Sequence, residues 1–125
     1  MRRHNKERMA LINKKNGKKI AGKHKRCKTA LSKAVGLMFH RPIDDYALVF
    51  EFKKPQRPAM HNLFVFFPID IICLDRKMTV LETKQEFRAF SIYYRPEKKC
   101  SYIIECPAGT VKKADIQKGD VIVEN

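Results

Sequence analysis

Ile69-Asp70-Ile71-Ile72-Cys73-Leu74, reached from Leu63-Phe64-Val65-Phe66-Phe67 across Pro68, is the stretch on which the fold turns. An apolar run like this either crosses a bilayer or fills a core. Phe64 to Leu74 is too short to cross, and Pro68 and Asp70 interrupt it. Proline cannot donate a ladder hydrogen bond, so Pro68 marks an edge, a bulge or a bend between two strand segments. A mainly β protein is the expectation from this point outward.

Toward the C-terminus, Asp75-Arg76-Lys77 makes a turn into a strand from Met78 to Thr83, and Ser91 to Tyr94 forms a short strand before Arg95-Pro96. Ser101-Tyr102-Ile103-Ile104-Glu105-Cys106 is a clearer strand, ended by Pro107-Ala108-Gly109. A helical turn near residues 110–114 follows, and Lys118-Gly119-Asp120 leads into Val121-Ile122-Val123. Toward the N-terminus, Ala47 to Phe52 reads as a strand closed by the basic loop Lys53-Lys54-Pro55-Gln56-Arg57-Pro58. Before it, Ala30, Leu31, Ala34, Leu37 and Met38 recur at three- and four-residue intervals behind the capping residue Thr29. That spacing predicts one short α-helix near residues 29–39, stopped at Arg41-Pro42. Earlier still, Met9-Ala10-Leu11-Ile12 and Lys18-Lys19-Ile20-Ala21 flank Asn16-Gly17, whose positive φ values suit a lysine-tipped hairpin. Many short strands with one helix predict a small β-sandwich or partly closed barrel.

At 125 residues the chain suits one domain, expected over residues 9–125 behind a mobile basic N-terminus at 1–8. Its 44% apolar and 32% charged residues exclude wholesale disorder. The net charge of +14 is unevenly placed: residues 1–33 hold thirteen Lys or Arg against Glu7, whereas the rest holds fourteen basic against twelve acidic groups. Such asymmetry is the footprint of a surface that meets a polyanion, or of one that serves only solubility. Cys27, Cys73, Cys100 and Cys106 are scattered, without the paired spacing of a zinc ribbon or redox motif. Cys73 reads as a small core hydrophobe. No signal-peptide pattern follows Met1-Arg2-Arg3-His4, and with free thiols this points to the cytoplasm.

Four ordered fragments carry a resemblance. They are Gly36-Leu37-Met38-Phe39, then Met60-His61-Asn62 leading to Phe67-Pro68-Ile69-Asp70, then Glu105-Cys106-Pro107-Ala108-Gly109-Thr110, and finally Gly119-Asp120. Over residues 18–123 the chain resembles the family called domain of unknown function 192, in a version like its archaeal members. The resemblance implies a compact, sandwich-like β fold and brings no reaction, substrate or cofactor. The commoner family pattern has a tryptophan before the methionine and a lysine after it; here Ala59 and His61 stand there, and the chain has no tryptophan.

Within that frame, Met60, His61, Asn62 and Asp70 form the candidate ligand pocket, polar groups beside a dense apolar run. The plainer reading of Asp70 is a carboxylate that accepts backbone N–H bonds and holds a bend. His61 with Cys73 or Cys106, and Asp70 with Asp75 or Glu105, are the available catalytic pairs, and no local spacing ties either together. A metal site from His40, His61 and Asp70 lacks close ligand spacing, so neither metal nor cofactor is expected. The glycine of Pro107-Ala108-Gly109-Thr110 could offer N–H groups to an anion, although a strand-to-helix turn explains it as well.

Lys14, Lys15, Lys18, Lys19, Lys23, Lys25, Arg26 and Lys28 form the candidate polyanion-binding cluster, each able to neutralise a phosphate. The basic region contains no aromatic for base stacking. Three functions stand in order: a small non-catalytic binding or accessory domain, a nonspecific nucleic-acid-binding protein acting through the hairpin, and a hydrolase or metal-dependent enzyme.

Overall fold

The structure is a computed structural model, and it describes residues 9–27, 45–59, 68–87 and 94–125. The expected helix at 29–39, the N-terminal segment, the Leu63–Phe67 strand and most of the Ser91–Tyr94 strand lie outside the described residues.

Two sheets organise the chain. In the first, β1 (Leu11–Asn13) lies between β2 (Lys19–Ala21) and β8 (Ile122–Glu124), antiparallel to both. The hairpin read from Asn16-Gly17 is present: the Gly17 N–H donates to the Asn13 carbonyl at 2.8 Å, and Gly17 takes φ 72°, open to glycine without strain. The second sheet runs β3-β4-β7-β5-β6, from β3 (Lys23–Cys27) through β4 (Tyr46–Gln56), β7 (Cys100–Pro107) and β5 (Ile69–Leu74) to β6 (Val80–Phe87). Only β3 and β4 are parallel. A single helical turn, α1 (Thr110–Lys113), follows β7.

Period-two alternation divides the five-stranded sheet into two buried faces. Val49, Ile72, Leu74, Ile104 and Cys106 join Leu11, Ile20, Ile122, Val111 of α1 and Ala114 just after it in one cluster, so the smaller sheet and α1 pack on this first face. Leu48, Phe50, Ile69, Ile71, Cys73 and Ile103 form the second cluster, on the opposite face. β5 is therefore buried at every position, which explains why its sequence reads as a continuous apolar run rather than an alternating one.

Among the described residues neither sheet closes on itself, and the partly closed barrel is corrected to two open sheets with one short helix. Two elements also differ from the reading of the residues. Lys53–Gln56 continues β4, where a loop was expected, and Lys23–Cys27 is a strand although most of its residues are charged. Position explains both: among the described residues β3 is an edge, and the end of β4 is exposed where its register with β7 shifts between Glu51 and Gln56.

Candidate functional site

Asp70 is fully buried on the first face, and its carboxylate is wholly committed to backbone. Oδ1 accepts the Glu86 N–H at 2.8 Å, while Oδ2 accepts the N–H groups of Gly109 at 3.1 Å and Val111 at 2.9 Å. Glu86 has φ 52° and Gly109 φ 95°, so the carboxylate holds two left-handed residues, one in β6 and one before α1. Asp70 thus accepts backbone N–H groups, as the plainer reading has it, but those of distant residues in β6 and before α1 and not those of a bend at Pro68. The anion question at Pro107-Ala108-Gly109-Thr110 has an internal answer, because the N–H groups that a phosphate would need already face Asp70. Met60, His61 and Asn62, the other members of the candidate pocket, lie outside the described residues.

Glu105 faces the other way. In β7 it stands between Leu48 of β4 and Ile71 of β5, whereas Asp70 stands opposite Cys106. Strand alternation therefore separates the Asp70–Glu105 pair onto opposite faces of the sheet. Glu105 is 7% exposed, and no hydrogen bond or ion pair joins its carboxyl to any described residue. Burial pushes this carboxyl up to about 8, so it carries its proton at neutral pH. The signal was present in the sequence, since Glu105 interrupts an otherwise apolar segment at the position where the second face recurs.

The same face holds a chain of polar groups. The Tyr94 hydroxyl donates to Glu82 Oε1 at 3.0 Å and lies 3.9 Å from Cys73 Sγ. Glu82 Oε2 accepts the N–H groups of Glu97 and Lys98 at 2.8 and 2.9 Å. Cys73 and Cys100 interact through their thiols, which raises Cys73 and lowers Cys100; burial adds to the rise at Cys73. Burial and the Cys73 neighbour both raise Tyr94. All four cysteines are buried, and Cys73, Cys100 and Cys106 are in no disulfide. Among the described residues no three His, Cys, Asp or Glu side chains converge as a metal cluster.

The basic cluster is less available than its sequence suggests. Lys15 Nζ reaches Asp120 at 3.2 Å and Asp115 at 3.7 Å, and Lys19 reaches Asp45 at 3.0 Å. Arg26 lies 3.5 Å from Glu51 and 3.8 Å from Glu124, with its guanidinium over the Tyr102 ring. Lys14 and Lys18 are exposed and carry no ion pair among the described residues; Lys23 is exposed, Lys25 is half-buried, and Lys28 lies outside. The hairpin tip is docked instead of projecting. Asn13 Nδ2 donates to the Ala114 carbonyl at 3.1 Å and Asp120 Oδ2 at 3.2 Å, and Asn16 Nδ2 donates to the Ala114 carbonyl at 3.0 Å. Burial works to raise Asp120, and is outweighed by the Gln117 N–H, the Asn13 amide and Lys15, which hold it below the usual range.

Comparison with known proteins agrees with this architecture. The family model DUF192, described as an uncharacterized ACR, matches residues 11–123. UPF0127 protein TK1120 of Thermococcus kodakarensis is 34% identical over 116 residues, covering 90% of this chain and 71% of its own. A UPF0127 protein of Pyrococcus abyssi is 29% identical over 112 residues, covering 90% and 94%. Among solved structures, a Sinorhizobium meliloti protein provisionally described as a transcription regulator superposes with a TM-score of 0.84 at 20% identity, over 99% of this chain and 98% of its own. A protein of unknown function from Novosphingobium aromaticivorans gives 0.77 at 17% identity, over 91% and 81%. The structural likenesses speak for the fold alone. With the family model spanning nearly the whole chain and its relatives drawn from archaea, the protein belongs to the uncharacterized DUF192 family, UPF0127, as an archaeal-type member.

Proposed function

We propose that the chain is a small non-catalytic binding domain whose ligand meets the Glu105 face of the five-stranded sheet. We read the two sheets, joined through the Leu11 and Ile122 cluster, as an open sandwich in which Glu105 is enclosed among the buried side chains of the second face, so that a ligand would be held within it. One observation carries the reading: Glu105 is buried in the central part of the sheet with no polar partner among the described residues. Burying a carboxyl without a hydrogen bond costs on the order of 1–3 kcal/mol in protein mutational data. A site that tolerates such a cost is suited to a ligand that supplies the missing partner. The class that fits is a small, mostly apolar molecule with one hydrogen-bonding or cationic head, since Leu48, Ile71 and Ile103 surround the carboxyl.

Calorimetric titration and thermal-shift screening with small aliphatic amines and amides test this at pH 6 and pH 9. Amine binding is expected to release a proton at pH 6, as Glu105 ionises against the cation, and to vanish in Glu105→Gln. Equal binding by the variant, or no stabilising compound in either class, would sink the proposal. Turnover of any substrate class that is lost in Glu105→Gln would replace a binding domain with an enzyme. A cytoplasmic location is part of the same proposal, supported by the buried thiols of Cys73, Cys100 and Cys106, none of which is in a disulfide.

A further inference from the structure

A second group of cations gathers at one end of the five-stranded sheet, touching the predicted basic cluster only where Arg26 and Arg76 share the Tyr102 ring. Strand direction puts it there. The end of β4 meets the start of β7, with Gln56 opposite Cys100, and the end of β5 meets the same part of β7, with Leu74 opposite Tyr102. Three basic segments distant in sequence therefore share one end. β4 contributes Lys53 and Lys54, with Arg57 just beyond it; the β5–β6 turn contributes Arg76 and Lys77; the approach to β7 contributes Arg95, Lys98 and Lys99. All eight are exposed, and none carries an ion pair among the described residues.

The arginines tie the three segments together through neutral acceptors. Arg76 Nη2 donates to the carbonyls of Phe52 at 3.2 Å and Lys53 at 3.0 Å. Arg57 Nε donates to the Pro96 carbonyl at 2.7 Å, and Arg95 Nε donates to the Arg57 carbonyl at 2.9 Å. Carbonyls orient a guanidinium without cancelling its charge, so like charges are held together and their remaining N–H groups can serve an anion. Of the nearby acids Glu97 is exposed among the cations, whereas Glu82 accepts the Tyr94 hydroxyl and two backbone N–H groups and Asp75 Oδ1 accepts the N–H groups of Lys77 and Thr79, which leaves the eight cations well in excess.

We infer that this end of the sheet docks the phosphate backbone of double-stranded nucleic acid without reading its sequence. Fixed, uncompensated cations in a cluster are what counterion release rewards. The only large apolar side chain exposed among the described residues is Met9, in the approach to β1, so none of the described residues sets an apolar wedge beside the cations. No aromatic side chain is exposed among the described residues either, which favours paired over single strands, whose bases need stacking partners. The surface is independent of the Glu105 face.

Fluorescence anisotropy with a short labelled DNA duplex, titrated across salt concentrations, tests the inference. Wild-type affinity is expected to fall steeply with salt. Replacing Lys53, Lys54, Lys98 and Lys99 by Gln is expected to reduce the slope of log K against log salt by about 3.5, while Lys14→Gln with Lys18→Gln leaves it nearly unchanged. These exposed side chains make no described hydrogen bond, and an unchanged melting temperature verifies folding. No duplex binding at low salt, a slope lost only in the hairpin variant, or binding to anionic vesicles but not duplex would each overturn the inference.

Discussion

Two buried titratable residues bend stability with pH in opposite senses. Glu105 has its folded-state value raised to about 8, so the folded protein holds a proton that the unfolded chain releases at the ordinary carboxylate range. Its stabilising contribution is full below that range and is lost as pH rises through about 8. Chemical denaturation at pH 5 and pH 9 should show Glu105→Gln gaining on the wild type at the higher pH by about 3 kcal/mol; equal differences at both pH values would contradict the burial. His24 behaves inversely. Burial lowers it, against the Met9 carbonyl and Glu124 and with help from Arg26, although Nε2 lies 3.2 Å from the Glu124 carboxylate. Because the folded state resists protonation, its contribution is present above the ordinary histidine value of 6.5 and declines as pH falls below it. Melting temperatures from pH 7 to pH 5 should drop more for the wild type than for His24→Gln, and the His24 ring resonances should titrate below 6.5. Glu105 was marked by interrupting an apolar segment, whereas His24 stood among charged residues with nothing to mark it, since its burial is decided by partners distant in the chain.

At the scale of elements, Asp70 works as a rivet. One carboxylate fixes β5 to β6 through Glu86 and to α1 through Gly109 and Val111. Asp70→Asn would put an amide donor against at least one of those N–H groups, leaving it unsatisfied. Urea unfolding should register a loss of about 2–4 kcal/mol; a loss below about 0.5 kcal/mol would mean that the turn before α1 holds without the rivet. The sequence disclosed Asp70 as an acceptor of backbone N–H groups because it interrupts apolar residues next to a proline, but it did not disclose that the turns it holds lie at Glu86 and Gly109. It also disclosed the hairpin at Asn16-Gly17, the helical turn at Thr110 and the strands either side of Ile104, all of which rest on local turn chemistry or apolar runs. β3 escaped notice because Lys23, Lys25 and Arg26 carry no strand signal, and only the parallel register with Tyr46 to Phe50 makes them one. The length of β4 was hidden likewise by Pro55, which the exposed end of the strand tolerates.

For the whole molecule, the charge of +14 was legible as a number and as a gradient along the chain, but not as a map. Folding cancels part of the N-terminal excess against Asp45, Asp115, Asp120, Glu51 and Glu124, and it gathers cations from three turns that the sequence keeps apart. The charged edge has its own consequence. Among the described residues β3 pairs with β4 alone and stands at the edge of the sheet, the side on which a further strand would add. Lys23 and Lys25 lie along that edge, and an incoming copy of the same strand would have to bring like charges together. Replacing both with valine should leave the monomer folded yet speed thioflavin-positive aggregation in concentrated solution, and unchanged aggregation kinetics would count against a guarding role. The lysines that hide β3 from a reader of the sequence would then be the residues that keep one molecule from becoming the seed of a fibril.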